Sequence, residues 1–191
     1  NKRFPKQLPV EVVLLSRNSA ATGKRVFRSI SHYGLDISRA AFMEGESPYE
    51  YIPAFNASLF LSANEKDVIN AISCKYPAGT VLPSTVIDDE SEDELRIAFD
   101  FDGVIADDES EAVVKGKDLS AFTTVEDWGV SANETFFLGG MKKDRILNRL
   151  KPHMFFDDQK SHLESEAGDI PMVHIPFGIA NTLVEQVAPE G

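Results

Sequence analysis

The sequence predicts an α/β fold built on a mainly parallel sheet flanked by helices. Three observations point there. Short apolar runs alternate with amphipathic segments along most of the chain. Several runs, such as Val10-Glu11-Val12-Val13-Leu14-Leu15, are rich in β-branched residues, as strands buried on both faces are. Several runs also stop at polar or acidic residues that lead into a turn or a helix-like segment, as strands of βα units do.

Val10 to Leu15 reads as a first strand, ended by Ser16-Arg17-Asn18-Ser19. Thr22 to Tyr33 reads as a helix with Val26, Phe27 and Ile30 inward, Lys24, Arg25 and Arg28 outward, and Gly34 as its stop. Ala40 to Met43 is a strand before the turn Gly45-Glu46-Ser47-Pro48, and Tyr49 to Phe55 is a short helix. Ser58 to Leu61 is a strand, and Asn64 to Ser73 a helix with Val68, Ile69 and Ile72 inward. Residues 88–94 form a solvated acidic linker. Ile97 to Phe99 is a short buried strand leading to Asp100-Phe101-Asp102-Gly103, and Asp107 to Glu111 starts a helix through Val113 and Val114. Thr135 to Leu138 is a strand, Gly139 to Lys143 a basic turn and Asp144 to Leu150 a helix. Met154 to Asp158 is a strand ending in two carboxylates, and Met172 to Ile175 is the last strand. The expected organisation is a first, non-catalytic α/β repeat over 1–87, the linker, and a catalytic half over 95–191.

The 191 residues, 42% of them hydrophobic, suffice for one sizeable core or two small ones. With one cysteine, Cys74, there is no intrachain disulfide; a reducing compartment is expected, with Cys74 a small packed residue. Nineteen basic against 31 acidic side chains give a net charge of −12, which argues against nucleic-acid polymers and anionic membranes as partners. No apolar run approaches membrane-spanning length. The first residue is Asn1, so the chain is expected to start inside a longer one.

The chain repeats itself at a constant spacing of 95 residues, without gaps: Gly34 falls on Gly129, Phe42 on Phe137, Gly45 on Gly140, Phe60 on Phe155 and Leu61 on Phe156. Any two βαβ units look somewhat alike, but a gap-free register favours duplication. The copies differ where chemistry would sit. Ser62 and Ala63 become Asp157 and Asp158, and Pro48 becomes Lys143.

Asp100 and Asp102 lie one residue apart at a strand end, so they leave on the same side. Read alone, the pair fits a polar turn as well as a cation site. Two carboxylates that close repel unless a cation sits between them, and Mg²⁺ is the usual hard oxygen-ligated choice. The C-terminal ends of parallel strands share one edge, which could gather Asp100, Asp102, Lys143, Asp157 and Asp158 around one metal ion. Those residue types suit phosphoryl transfer: a carboxylate nucleophile, a carboxylate acid/base, a metal and an ammonium to offset the anion. The order Asp-x-Asp, lysine, acidic pair resembles haloacid-dehalogenase-like phosphohydrolases, whereas phosphoacceptor receiver domains place the acidic pair first and the lysine last.

Longer words extend the likeness. Arg25-Val26-Phe27-Arg28-Ser29-Ile30, His32-Tyr33-Gly34-Leu35-Asp36-Ile37, Leu95-Arg96-Ile97-Ala98-Phe99-Asp100, Phe137-Leu138-Gly139-Gly140, Phe155-Phe156-Asp157-Asp158 and Ile175-Pro176-Phe177-Gly178-Ile179-Ala180 resemble the cytosolic 5'-nucleotidase type I family over nearly the whole chain. The resemblance implies Mg²⁺-dependent hydrolysis of nucleoside 5'-monophosphates, AMP prominently, in the cytoplasm. It implies Asp100 as nucleophile, Asp102 as acid/base, Lys143 as phosphate partner, and Asp157 with Asp158 completing the metal site. It also implies a further strand ending in Thr or Ser, with its helix, where this chain passes straight from about Val125 to Trp128. Either residues are missing near Glu126 or Ser16 of the first copy stands in for that hydroxyl; a discontinuity between Thr123 and Trp128 is the expectation, because a sheet lacking that strand leaves backbone groups unpaired. Ser16, Arg17 and Asn18 are candidate substrate contacts, with capping as the alternative. Tyr49 and Tyr51 suit core packing better than purine stacking. His162 is read either as a partner of Asp158 or as a surface or packed histidine.

Overall fold

The structure is a computed structural model that describes residues 10–85, 95–101, 103–105, 133–136, 138, 141–166 and 170–176. Asp102, the acidic linker, the helix expected from Asp107 and the stretch around Glu126 lie outside the described residues. The chain divides into two units, Asn1–Thr80 with Asp89–Leu95, and Val81–Asp88 with Arg96–Gly191. The elements are α/β and the described strand pairs are parallel. Among the described residues no helix is long and apolar enough to cross a membrane.

In the first unit β1 (Val13–Ser16) pairs with β2 (Arg39–Phe42), joined by α1 (Ala20–His32). β3 (Phe60–Ser62) pairs with β4 (Ala78–Val81), joined by α2 (Glu65–Ser73). Two 3-10 turns, Pro48–Tyr51 and Pro53–Phe55, replace the expected short helix. Asn64 starts α2 by accepting from Lys66 N at 3.1 Å and Asp67 N at 3.3 Å, satisfying two end donors. Val68 and Ala71 then pack with Ile52, Phe60 and Ala78, and Tyr49 lies against this core.

Asp67 also faces inward, 1% exposed, and Arg17 meets it there. Arg17 Nε donates to Asp67 Oδ2 at 2.9 Å, Ser47 Oγ donates to Asp67 Oδ1 at 2.8 Å, and Arg17 Nη1 donates to Gly45 O at 2.7 Å. The Arg17 hydrogen bond outweighs burial and, with Ser47, holds the Asp67 carboxyl below its ordinary 3.8. A carboxyl so depressed adds stability that is complete above its unfolded value and fades as pH falls through the folded one. Asp67→Ala is therefore expected to cost about 1–3 kcal/mol at pH 7, and Asp67→Asn to remove part of the stability lost below about pH 4. Thermal melts of wild type and both variants between pH 3 and 7 check this; matching pH profiles would refute it.

In the second unit β5 (Ile97–Phe99), β6 (Met154–Asp157) and β7 (Met172–His174) lie in the order β7–β6–β5. They alternate with α3 (Asp144–Leu150) and α4 (Lys160–Glu166). Leu147, Phe155, Leu163, Ile170 and Met172 form the core, with Ala98 and Leu82 against it. Arg96 fastens the entry of β5: its Nε donates to Leu150 O at 2.9 Å, and its backbone N donates to His153 Nδ1 at 3.0 Å. The end carbonyls of α3 thus receive a cationic donor.

Local details recur between the units. Phe60 N donates to Pro77 O, and Phe155 N to Pro171 O, each at 2.9 Å. Ser62 Oγ accepts from Asn64 N at 3.1 Å, and Asp157 Oδ1 from Gln159 N at 2.8 Å.

Further expectations are corrected, and one strand is added. Ile97 and Phe99 are 45% and 51% exposed, because β5 is the outermost described strand and turns only Ala98 to the core. Phe27 is 43% exposed and meets Phe42 edge-on at 6.2 Å; α1 turns Ile30 inward as expected, together with Gly23. Cys74 is exposed, lying just past the end of α2. Of the strand expected over Thr135 to Leu138, residues 135, 136 and 138 are not in a strand and Phe136 is 45% exposed, while Phe137 lies outside the described residues. β4 is a strand the sequence reading passed over, because Ala78, Gly79 and Thr80 are small and carry no apolar signature.

Candidate active site at the strand ends of the second unit

The ladder delivers the carboxylates. Asp100 follows β5 directly, and its backbone N donates to Phe156 O at 2.8 Å. Asp157 closes β6, and its carbonyl accepts from Ile175 N at 3.0 Å. Parallel pairing of Phe99 with Phe156 therefore places Asp100 and Asp157 at one edge. The Phe99 and Phe156 rings stack 4.9 Å apart beneath them.

Lys143 enters from the start of α3. Its Nζ lies 2.7 Å from Asp100 Oδ2 and 2.7 Å from Asp157 Oδ2, and it sits over the Phe155 ring at 5.9 Å. Burial pulls its pKa down, but the hydrogen bonds and charges of Asp100 and Asp157 win, so the net shift is upward from 10.5. The ammonium is charged at neutral pH, and its stabilising effect fades only as pH rises through that raised value.

Asp157 is fully buried and divides its oxygens: Oδ1 accepts from Gln159 N, and Oδ2 faces Lys143. Asp158, 4% exposed, lies against Gly103, whose φ of +72° brings the turn after β5 close. His162 Nδ1 stands 3.3 Å from Lys143 Nζ and 3.4 Å from Asp157 Oδ2. His174, buried at the end of β7, donates from Nε2 to Asp158 O at 3.0 Å. The sequence reading did not single out His174; a histidine closing an apolar strand at this edge was the available signal.

The structure thus brings together Asp100, Lys143 and Asp157, places Asp158 beside Gly103, and adds His162. Asp102 is outside the described residues. Ser16, Arg17 and Asn18 are at the end of β1 in the first unit, where Arg17 is engaged by Asp67 and Ser16 Oγ accepts from Asn18 N at 3.1 Å. Ligand atoms of Asp100, Asp157 and His162 all lie within 4.8 Å of one another; the two carboxylates are donors of the kind a hard divalent cation takes, whereas an imidazole suits softer metals. The two carboxylate oxygens already share one cationic centre, the Lys143 ammonium.

Fold and site define an α/β protein whose parallel strands end in carboxylates gathered around a cation. A sequence model described as 5'-nucleotidase matches residues 1–127 and 121–182, and the chain belongs to the 5'-nucleotidase family. It is 26% identical over 214 aligned positions to human cytosolic 5'-nucleotidase 1B, across 81% of this chain and 35% of that protein. The chain therefore spans about a third of the length of this relative. No solved structure matches it significantly.

Proposed function

We propose that this chain carries the catalytic chemistry of a 5'-nucleotidase, hydrolysing AMP-like nucleoside 5'-monophosphates through an aspartyl-phosphate. The observation that carries the proposal is one ammonium 2.7 Å from carboxylates delivered by two adjacent strand ends. Family membership and the name of the human relative support the nucleotide substrate and a cytosolic setting.

Asp100 attacks phosphorus as the bond to the 5' oxygen breaks, and Asp102 gives that oxygen a proton. Asp102 then takes a proton from water, which attacks the aspartyl-phosphate, releases phosphate and restores Asp100. Lys143 offsets the charge of the phosphoryl oxygens. Asp100, Asp102, Asp157 and Asp158 would hold Mg²⁺, which supplies charge neutralisation at the phosphoryl group. The part of Ser16, Arg17 and Asn18 in binding substrate is also a proposal, resting on their place at a strand end.

We read the fold as haloacid-dehalogenase-like and internally duplicated, a reading supported by the turns and ladder bonds that recur between units. A break in the chain near Glu126 is supported by the two family-matching segments that meet at 121–127.

Phosphate release from AMP, CMP and a panel of sugar phosphates, with Mg²⁺ or with chelator, tests the proposal. Release from nucleotides that stops with chelator is expected. Binding of AMP without release identifies a silent nucleotide-binding protein, and preference for sugar phosphates identifies a different phosphatase. Lys143→Met is expected to lower turnover about 10²- to 10³-fold. It is also expected to lower the melting temperature in chelator, because two carboxylates then face each other, and Mg²⁺ should restore more stability than in wild type. Equal Mg²⁺ responses in both proteins would contradict that placement of the ammonium.

A further inference from the structure

We propose that His162 is a positioning residue whose Nδ1 lone pair takes a hydrogen bond from Lys143 and holds the amine against Asp100 and Asp157. It deepens the nucleotidase reading and rests on it for the catalytic meaning, but its structural content stands alone.

A lysine ammonium has three N–H donors and no acceptor. Two donors are placed by Asp100 Oδ2 and Asp157 Oδ2, each at 2.7 Å. His162 Nδ1, at 3.3 Å, takes the third. A protonated Nδ1 at that distance would set donor against donor, so the nitrogen facing Lys143 presents its lone pair and the proton sits on Nε2. The other contact of Nδ1, 3.4 Å to Asp157 Oδ2, is longer, and that oxygen already accepts from the ammonium.

The first unit gives independent support. Asp67 occupies the place 95 residues before His162, on the helix that follows the corresponding strand. It too holds the loop after the glycine turn, through Ser47 and through Arg17, which reaches Gly45 O. In the first unit this helix position therefore anchors the residues after Gly45, and in the second it lies against Lys143. In the second unit the anchor is a base and the anchored group is the amine. A lysine swings on a flexible four-carbon stem, and a third contact limits where it can point.

The test uses the whole chain with ¹⁵N-labelled histidine, and variants His162→Ala, His162→Gln and Lys143→Met. Nitrogen NMR of His162 is expected to show an unprotonated, hydrogen-bonded Nδ1 whose resonance moves in Lys143→Met. His162→Ala is expected to lower kcat for AMP with Mg²⁺ about 10- to 100-fold with little change in KM. His162→Gln, which supplies an acceptor oxygen, is expected to recover much of that loss. A protonated Nδ1, or a resonance indifferent to Lys143→Met, overturns the inference. Wild type that releases no phosphate while showing the expected resonance overturns the nucleotidase reading and leaves the positioning of Lys143 intact. The His162 side chain is 40% exposed, so neither substitution threatens the core.

Discussion

Asp100→Asn is expected to lower phosphate release from AMP by about 10⁴-fold or more while the protein stays folded. The amide keeps the shape of the carboxylate, but it cannot form the acyl-phosphate bond. Lys143 retains Asp157 as a partner, so the ammonium keeps a counter-charge. The reading also demands a covalent species: wild type quenched in acid during turnover of labelled AMP should carry phosphate, and Asp100→Asn should not. An Asn variant that keeps about 1% or more of the wild-type rate would remove Asp100 from the role of nucleophile.

Gly103→Val is expected to destabilise the protein by about 2–4 kcal/mol, more than Gly103→Ala. Two effects combine. The backbone has a φ of +72°, which a β-branched residue resists, and an added Cβ would lie 2.5 Å from Asp158 Oδ2. Asp158 is 4% exposed and has little room to yield. Denaturant unfolding measures the cost. In a double-mutant cycle, Asp158→Ala should relieve part of the Gly103→Ala penalty, since it deletes the two closest atoms. Strict additivity would show that the penalty is backbone strain alone.

The elements nearest the proposed chemistry were the easiest to read. Met154 to Asp157 is an apolar run cut off by carboxylates, and Asp144 to Leu150 has helical spacing before a break; both formed where expected. What failed depended on neighbours. Nothing in Ile97-Ala98-Phe99 tells whether a strand lies inside a sheet or at its margin, so the exposure of Ile97 and Phe99 was not legible. β4 was missed because it is made of small residues and held by its pairing with β3. The approach of Lys143 to Asp100 and Asp157 was foreseeable from residue types, since opposite charges at one sheet edge attract. The contact of His162 with Lys143 required the sharp turn between β6 and α4, set by Asp157 Oδ1 and Gln159 N. The closeness of Gly103 and Asp158 joins residues far apart in the chain, and no local pattern announces it.

The tie between Arg96 and His153 spans 57 residues, and the described ladder partner of β5 begins just after it. A ribosome therefore releases the segment bearing Asp100 well before β6, its described ladder partner. At about 5–20 residues per second that interval lasts on the order of seconds, during which β5 lacks β6. Pairing of β5 with β6 is thus a late event in the life of the nascent polypeptide, set by the emergence of Met154 to Asp157.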